Sequence, residues 1–201
     1  HLYRRLAYGV NLEGIDAALP LTPTTVVDSI IDTAINLPQT AAPSWGYFSI
    51  SDFADFDLEN PANVSQWYIQ TAGDTIEGGL RARLTMFWMN HFVAGLDSYY
   101  YAPYLFQYYN ISQTYAIGNL KTFVKEIGAC SAMLIYLNGF QNTNTEPNEN
   151  YARELYERRL TSNYKLKTGI LSDKQTFELK LSMSRIFSLK YVQVLVYVYA
   201  F

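Results

Sequence analysis

The sequence predicts an all-α fold, an irregular multi-helix bundle with long polar loops. Two segments carry the pattern most clearly: Leu80–Val93 and Val26–Ala34 repeat apolar residues at intervals of three and four, which places them on one stripe of an α-helix. The alternation of apolar and polar residues that is typical of a β-strand occurs at Phe177–Met183. We therefore expect a helical domain over residues 1–157 and an atypical, β-prone tail over residues 158–201.

The composition is that of a folded protein with one sizeable core. The chain has 201 residues, of which 49% are hydrophobic and 18 are tyrosines. No apolar run reaches the roughly 18 residues that a membrane-spanning helix needs, so we expect no membrane span. The single cysteine, Cys130, excludes an internal disulfide.

The charge changes sign along the chain. Residues 1–156 hold seven Lys and Arg against 15 Asp and Glu, whereas residues 157–201 hold eight against three. Because an acidic body repels a phosphate backbone, we exclude nucleic acid as the partner of the helical domain.

Three helices are predicted before residue 38. His1–Tyr8 and Glu13–Leu19 are short helices. Thr22 followed by Pro23 is a typical helix start, an N-cap residue and then a proline in the first turn. The helix that follows is expected to end at Pro38.

Residues 38–60 predict a long surface loop, because they are rich in Pro, Ser, Gly and Asp and show no sustained period. Four acidic residues in this loop bring calcium into consideration. They lack the glycine turn and terminal glutamate of an EF-hand loop, which favours an ordinary solvated loop. These residues are Asp52, Asp55, Asp57 and Glu59.

The next segment leads into the most regular helix. Ala62–Thr71 is a predicted helix with Val64, Trp67 and Tyr68 facing inward. Gly73–Gly79 is a predicted turn.

Leu80–Val93 is the central predicted helix. Thr85 lies off the centre of its stripe, whereas His91 lies on the side that we expect to be buried. Because a buried imidazole needs partners for its ring nitrogens, we expect polar groups packed against it. The stripe consists of Leu80, Leu84, Phe87, Trp88, His91 and Gly95.

Ser98–Asn110 is rich in tyrosine. Stacked aromatic rings form platforms for sugars, but at helical spacing they belong more often to a core or an interface. A carbohydrate or protein partner at the Tyr99–Tyr109 surface is therefore one hypothesis for this segment.

Two further helices, Leu120–Ile127 and Ser131–Leu137, are predicted on either side of Gly128, and Asn138–Glu146 is a predicted polar loop.

The sequence PNENYARELY, Pro147–Tyr156, marks the change from a polar loop to a helix. Asn148 can cap this helix, and Glu149 lies in its first turn, where the helix dipole favours an anion. Two side-chain pairs lie one turn apart, namely Glu149 with Arg153 and Asn150 with Glu154. Either the segment is simply a well-capped helix, or Asn150 and Glu154 face inward and meet His91.

Four blocks of sequence carry a family resemblance. In chain order they are HLYRRLAYG, LRARLTMFWMNHF, AIGNLKTFVKEIGACSAMLIYLNG and PNENYARELYE. They resemble the motifs of the bacterial family called domain of unknown function 1800 and together cover residues 1–157. The resemblance implies a largely α-helical, exported protein, periplasmic or extracellular, although no signal peptide is present within this chain. It implies no reaction, because the activity of the family is not established.

Two departures from the family motifs bear on metal binding and packing. Met89 stands where members commonly have a first histidine, and Cys130 with Ser131 replaces an Asp-Pro pair. A metal held by His91 with Glu149 and Glu154 is a variant of the site, but the missing histidine removes one candidate ligand, so we expect no metal and no cofactor. The residues that match the motifs are Arg81, Trp88, Asn90, His91, Phe92, Gly118, Asn119, Asn142, Pro147, Asn148, Glu149, Asn150, Arg153 and Glu154.

The sequence stops resembling the family after Glu157, where the charge also changes sign. Our hypothesis is a change of reading frame or a misplaced gene end at this point. Residues 158–201 are then a non-native, basic tail.

Two functions are open at the level of sequence. The first is an exported helical domain with a binding or structural role, favoured because the chain has no nucleophile elbow, phosphate loop or zinc-binding motif. The second is a hydrolase-type enzyme in which His91 acts as a base beside Glu149 and Glu154 in a polar cleft. The binding residues of such a cleft are predicted to be Arg81, Asn90, Asn142, Asn148, Asn150 and Arg153.

Overall fold

The computed structural model describes residues 1–143, 148 and 150–161, so the predicted β-prone tail lies outside the described residues from 162 onward. The chain divides into two compact units, His1–Tyr136 and Leu137–Phe201. Within the described residues there are α-helices and two single-turn 3₁₀ helices but no β-strand, which confirms the predicted all-α fold. In chain order the α-helices are α1 (Leu2–Leu6), α2 (Leu12–Ala18), α3 (Pro23–Asn36), α4 (Phe56–Glu77), α5 (Gly79–His91), α6 (Leu96–Tyr99), α7 (Ala102–Thr114), α8 (Leu120–Ala129), α9 (Ser131–Tyr136) and α10 (Asn150–Thr161).

Several helix starts in the first unit follow from local sequence alone. The side chains of Asn11, Thr22 and Asn119 each accept a hydrogen bond from the backbone N–H three residues further on, and so cap α2, α3 and α8. Pro23 occupies the first turn of α3, as predicted. These caps need only neighbouring residues, which is why the sequence can predict them.

Residues 38–60 are not the long surface loop that we predicted. Trp45 and Phe53 are buried, and Trp45 packs edge-on against Trp67 with 5.9 Å between the ring centroids. Helix α4 already begins within this segment, where the side chain of Asp55 caps it. Isolated aromatic rings bury enough apolar surface to hold a polar segment against the core without any periodic pattern.

Helix α4 is longer than predicted. It continues through Gly73, so the predicted turn over residues 73–79 shrinks to a pair of glycines. The second of them, Gly79, has a φ of 53°, a conformation that favours glycine. Trp67 faces the core as predicted, but Tyr68, which we expected to face inward, is 52% exposed.

The core of the first unit is centred on Trp67, which is 1% exposed. Its indole meets Phe106 and Tyr109 of α7 edge-on, with 5.3 and 5.4 Å between ring centroids. The buried members of this cluster are Trp45, Val64, Trp67, Ala102, Leu105, Phe106 and Tyr109. Burial of these rings joins α4 to α7 and outweighs the roughly 1 kcal/mol that a glycine inside α4 costs.

Most of the tyrosine-rich segment lies in this core. Tyr101, Tyr108 and Tyr109 are buried, whereas Tyr100 is 50% exposed. A carbohydrate or protein partner at the Tyr99–Tyr109 surface stays a prediction. Tyr101 can be buried because its hydroxyl donates to the carbonyl of Phe48 at 2.6 Å.

Helix α5 buries a face that coincides only in part with the predicted stripe, since Leu80 and Trp88 are buried as predicted. Thr85 is fully buried, Trp88 and Phe92 are buried, and His91 is only half-buried, so the prediction of a buried His91 was wrong. Relative to the predicted stripe, the buried face is displaced toward the side of the helix that carries Thr85 and Phe92. Helix α5 contacts α3, α4 and α7, and these neighbours set its orientation. Thr85 can lie inside because its hydroxyl donates to the carbonyl of Arg81.

We predicted that Gly128 separates helices α8 and α9, but the two helices are separated at Cys130. Helix α8 continues through Gly128 to Ala129, and the backbone becomes extended at Cys130. Phe123 and Ile127 of α8 are fully buried, so packing carries the helix past the glycine.

The described part of the second unit consists of residues 137–143, 148 and 150–161. It begins with a 3₁₀ turn, Gly139–Gln141, preceded by Asn138 in the left-handed region at a φ of 57°. Helix α10 confirms the helix predicted from the PNENYARELY sequence. The side chain of Asn148 accepts a hydrogen bond from the backbone N–H of Asn150 at 2.9 Å, which confirms its capping role.

Candidate functional site

His91 is the last residue of α5 and lies beside three aromatic rings. Its imidazole stacks on Phe87, with 5.8 Å between centroids and 12° between planes. Trp88 and Phe92 meet the imidazole edge-on at 5.9 and 5.0 Å. Because His91 is half-buried, its imidazole is both held by ring packing and reachable from solvent.

Arg81, a predicted binding residue, closes the end of a helix. One terminal nitrogen of its guanidinium donates to the carbonyl of Leu37 at 2.7 Å and the other to that of Ile35 at 2.9 Å. These carbonyls lie at the C-terminal end of α3, where the helix itself supplies no donor. Partial burial lowers the pKa of Arg81 below its usual value. Asn90, the other predicted binding residue of α5, is exposed.

Arg83 has a similar role at α1, and the sequence analysis did not single it out. Its guanidinium donates to the carbonyls of Ala7 at 2.9 Å and Arg4 at 3.3 Å, and stands 5.8 Å from the centroid of the Tyr8 ring. The scarcity of basic residues in the acidic body is a signal that could have found it. Two of the seven lie in the Leu-Arg-Ala-Arg run that begins α5.

Trp88 and Tyr108 close two further helix ends from inside the core. The indole N–H of Trp88 donates to the carbonyl of Ala116 at 3.2 Å, just beyond α7. The hydroxyl of Tyr108 lies 2.7 Å from the carbonyl of Phe92 and 3.0 Å from that of Met89, and shares its proton between them at the end of α5. Neutral side chains thus donate hydrogen bonds to the carbonyls at the ends of α5 and α7, as arginines do at the ends of α1 and α3.

In the second unit, two predicted binding residues donate hydrogen bonds to carbonyls at the start of the turn that precedes α10. The side-chain amide of Asn150 donates to the carbonyl of Leu137 at 3.2 Å. The amide of Asn148 donates to the carbonyl of Asn138 at 3.0 Å, with Leu137 at 3.4 Å. Both amides are therefore engaged by the backbone.

Asn142 and Arg153 complete this asparagine cluster. The side-chain oxygen of Asn142 accepts from the backbone N–H of Asn148 at 2.7 Å, and Arg153 donates to the side chain of Asn150 at 2.9 Å. The structure therefore brings four of the six predicted binding residues together.

The predicted catalytic set is divided between the units. His91 belongs to the first unit, Glu154 is half-buried in α10 of the second, and Glu149 lies outside the described residues. A common cleft formed by these three residues stays a prediction.

A buried amide that sequence reasoning missed fixes the start of α7. Asn60 is 1% exposed, accepts from the backbone N–H of Ala102 at 2.8 Å and donates to the carbonyl of Tyr100 at 2.9 Å. The signal was present in the sequence, because Asn60 lies on the same helical stripe as Val64 and Trp67.

A second missed amide, Gln113, anchors the segment that precedes α4. Its side chain accepts from the backbone N–H of Thr40 at 2.8 Å and donates to the Thr40 hydroxyl at 3.0 Å. That hydroxyl donates in turn to Asp74 at 2.8 Å. Burial, and secondarily the negative charge of Asp74, raise the pKa of the nearby Tyr109.

Three of the four acidic residues that we considered for calcium, Asp52, Asp55 and Glu59, make hydrogen bonds at the start of a helix. Asp52 accepts from the backbone and hydroxyl of Ser49, which lowers the pKa of its carboxyl, and Glu59 accepts from the backbone N–H of Asp55. Within residues 1–143, 148 and 150–161, no three His, Cys, Asp or Glu lie close enough together to hold a metal ion. In the same ranges, no helix has both the length and the apolar character to cross a bilayer.

A family model described as Protein of unknown function (DUF1800) matches residues 1–157. Because the match covers most of the chain, the chain belongs to this family, which confirms the resemblance carried by the four sequence blocks. No curated protein and no solved structure matches the chain. Several motif residues of the family are seen here at helix ends, namely Arg81, Trp88, Asn119, Asn148 and Asn150.

Proposed function

We propose that this chain is an exported helical module with a binding or structural role. The proposal rests on the hydrogen bonds that side chains of the family motifs donate to backbone carbonyls. Arg81 and Trp88 donate to carbonyls at the ends of α3 and α7, and Asn148 and Asn150 donate to the turn before α10. Hydrogen bonds of this kind hold helix ends in place, which is a structural role that needs no substrate.

The alternative is a hydrolase that uses His91, and a substrate panel separates the two. We expect the purified full chain and its His91→Ala variant to hydrolyse ester, phosphoester, peptide and glycoside substrates at the same background rate. An exposed residue of the same helix supplies a matched control, Met86→Ala. A rate that the wild type and Met86→Ala share and His91→Ala lacks, at unchanged helicity, would refute the proposal.

Export is the second part of the proposal and is supported by family membership together with the resemblance that implies it. Fractionation of the native host, followed with an antibody against residues 1–136, tests it. We expect the antigen outside the cytoplasm. Recovery of all antigen with a cytoplasmic marker protein contradicts this part and leaves the binding role untouched.

A further inference from the structure

Helix α4 carries an apolar stripe on the face opposite the core. Leu58 and Ile69 are 71% and 75% exposed, although the other side of the same helix buries Val64 and Trp67. Small residues occupy the positions between and beyond them. The stripe, which we call the α4 stripe, consists of Leu58, Ala62, Ser65, Ile69 and Ala72.

The spacing of the α4 stripe fits a second helix. Its members recur at intervals of four, three, four and three, which is the repeat by which one helix packs along another. Ala62 and Ser65 at its middle allow a partner backbone to approach closely, while Leu58 and Ile69 supply apolar side chains on either side. A helix of 22 residues is about 33 Å long and offers several turns of contact.

The α4 stripe lies in an acidic stretch of the chain, which favours a basic partner. Residues 6–80 contain ten Asp and Glu and no Lys, Arg or His. Most of the large apolar side chains exposed in the described residues lie in this same stretch. Asp55, Asp57 and Glu59 stand at the first turn of α4, beside the exposed Leu58. A second copy of the chain would bring these carboxylates together with others of the same sign, which disfavours self-association.

We propose that the α4 stripe binds an amphipathic α-helix of another protein whose apolar stripe is flanked by Lys and Arg. This deepens the proposed binding role and rests on it. The apolar side chains of the partner cover Leu58 and Ile69, and its basic residues meet the carboxylates of Asp55 and Asp57.

Two labelled peptides of about 20 residues, long enough for the whole stripe, test the proposal by fluorescence anisotropy with the full chain. Both carry the same Leu and Ala stripe; one has Lys at the flanking positions and the other Glu. We expect the Lys peptide to bind at least about tenfold more tightly at low salt, and to weaken as NaCl rises because the charges are exposed. Equal binding of both peptides, or no binding of the Lys peptide, overturns the proposal.

Matched variants locate the binding surface. Ile69→Gln is expected to weaken the Lys peptide about fivefold or more, whereas Leu12→Gln, at a residue 73% exposed on α2, leaves it within about twofold. Circular dichroism confirms that both variants keep the wild-type helicity. Equal effects of the two variants contradict the assignment to α4.

Asp57→Asn and sedimentation complete the test. Asp57→Asn is expected to reduce the salt dependence of Lys-peptide binding. A dimer of the wild type that Ile69→Gln abolishes assigns the stripe to a second copy and overturns the basic partner. If the Lys peptide does not bind, the result of the substrate panel is unaffected. Failure of the α4-stripe proposal can therefore be distinguished from failure of the proposed binding or structural role.

Discussion

The two halves of α5 close helix ends with different chemistry. In the first half, Arg81 and Arg83 reach out to carbonyls at the ends of α3 and α1 with charged donors that stay partly in water. In the second half, Trp88 donates its indole N–H at the end of α7, and the end of α5 itself accepts from the Tyr108 hydroxyl of α7; both donors are neutral and lie inside the core. A guanidinium is costly to remove from water and a hydroxyl or indole much less so, which explains why the charged donors lie at the rim.

Trp88→Ala tests the interior half most severely. It removes both a buried ring packed on Phe123 and the donor to Ala116, so we expect a loss of about 4 kcal/mol in the free energy of unfolding. Urea unfolding followed by circular dichroism measures it. Met86→Ala on the exposed side of α5 is the control and should change stability by less than about 0.5 kcal/mol. Similar losses in both variants contradict the central place of Trp88.

Tyr108→Phe isolates the neutral hydrogen bond. The ring stays in the core, but the carbonyls of Phe92 and Met89 lose their shared donor, and we expect a loss of about 2 kcal/mol. The exposed Tyr100→Phe, measured in the same unfolding experiment, should leave stability nearly unchanged. If Tyr108→Phe is also neutral, the hydroxyl does not stabilise the end of α5.

Arg81→Met tests the rim half while keeping the aliphatic stem. Two carbonyls at the end of α3 lose their donor but can bind water, so we expect a loss of about 1 kcal/mol in thermal or urea unfolding. Arg81→Lys should recover little, because a single ammonium does not reproduce the two-pronged geometry. If Arg81→Met loses more free energy of unfolding than Tyr108→Phe, the charged donor at the rim stabilises the protein more than the neutral donor inside, which contradicts our ranking.

Arg83→Met is expected to have the smallest effect. Arg83 is exposed, and its bonds to Ala7 and Arg4 compete with water, so we expect a loss of about 0.5 kcal/mol. Repeating the unfolding in 1 M NaCl should shrink the difference, since salt weakens what a charge adds at a helix end. A difference that grows with salt contradicts this account.

Local signals made part of this structure predictable. The cap at Thr22 and the caps of α8 and α10 at Asn119 and Asn148 use groups at most three residues apart in sequence. By contrast, Trp45 was misplaced in a surface loop because a single buried ring in a polar segment leaves no periodic pattern. The orientation of His91 was missed because α5 contacts neighbours on more than one side, so its apolar stripe does not point to one core.

For the candidate site, sequence identified Arg81 and the asparagines at and before the start of α10 but not their partners. The family motif singled them out as residues, while the structure assigns them to backbone carbonyls. Arg81 meets a carbonyl 46 residues away and Trp88 one 28 residues away. Nothing in the periodicity of either segment encodes such a pairing.

The sequence by itself determined the helical class, the family and those helix starts whose caps lie within one turn, because these depend on neighbouring residues. Only the tertiary structure decided which face of α5 is buried, which rings pin residues 38–60 to the core, and which distant donors close the helix ends. These features depend on which surfaces meet in space, and the sequence of one segment does not specify the surface that will pack against it.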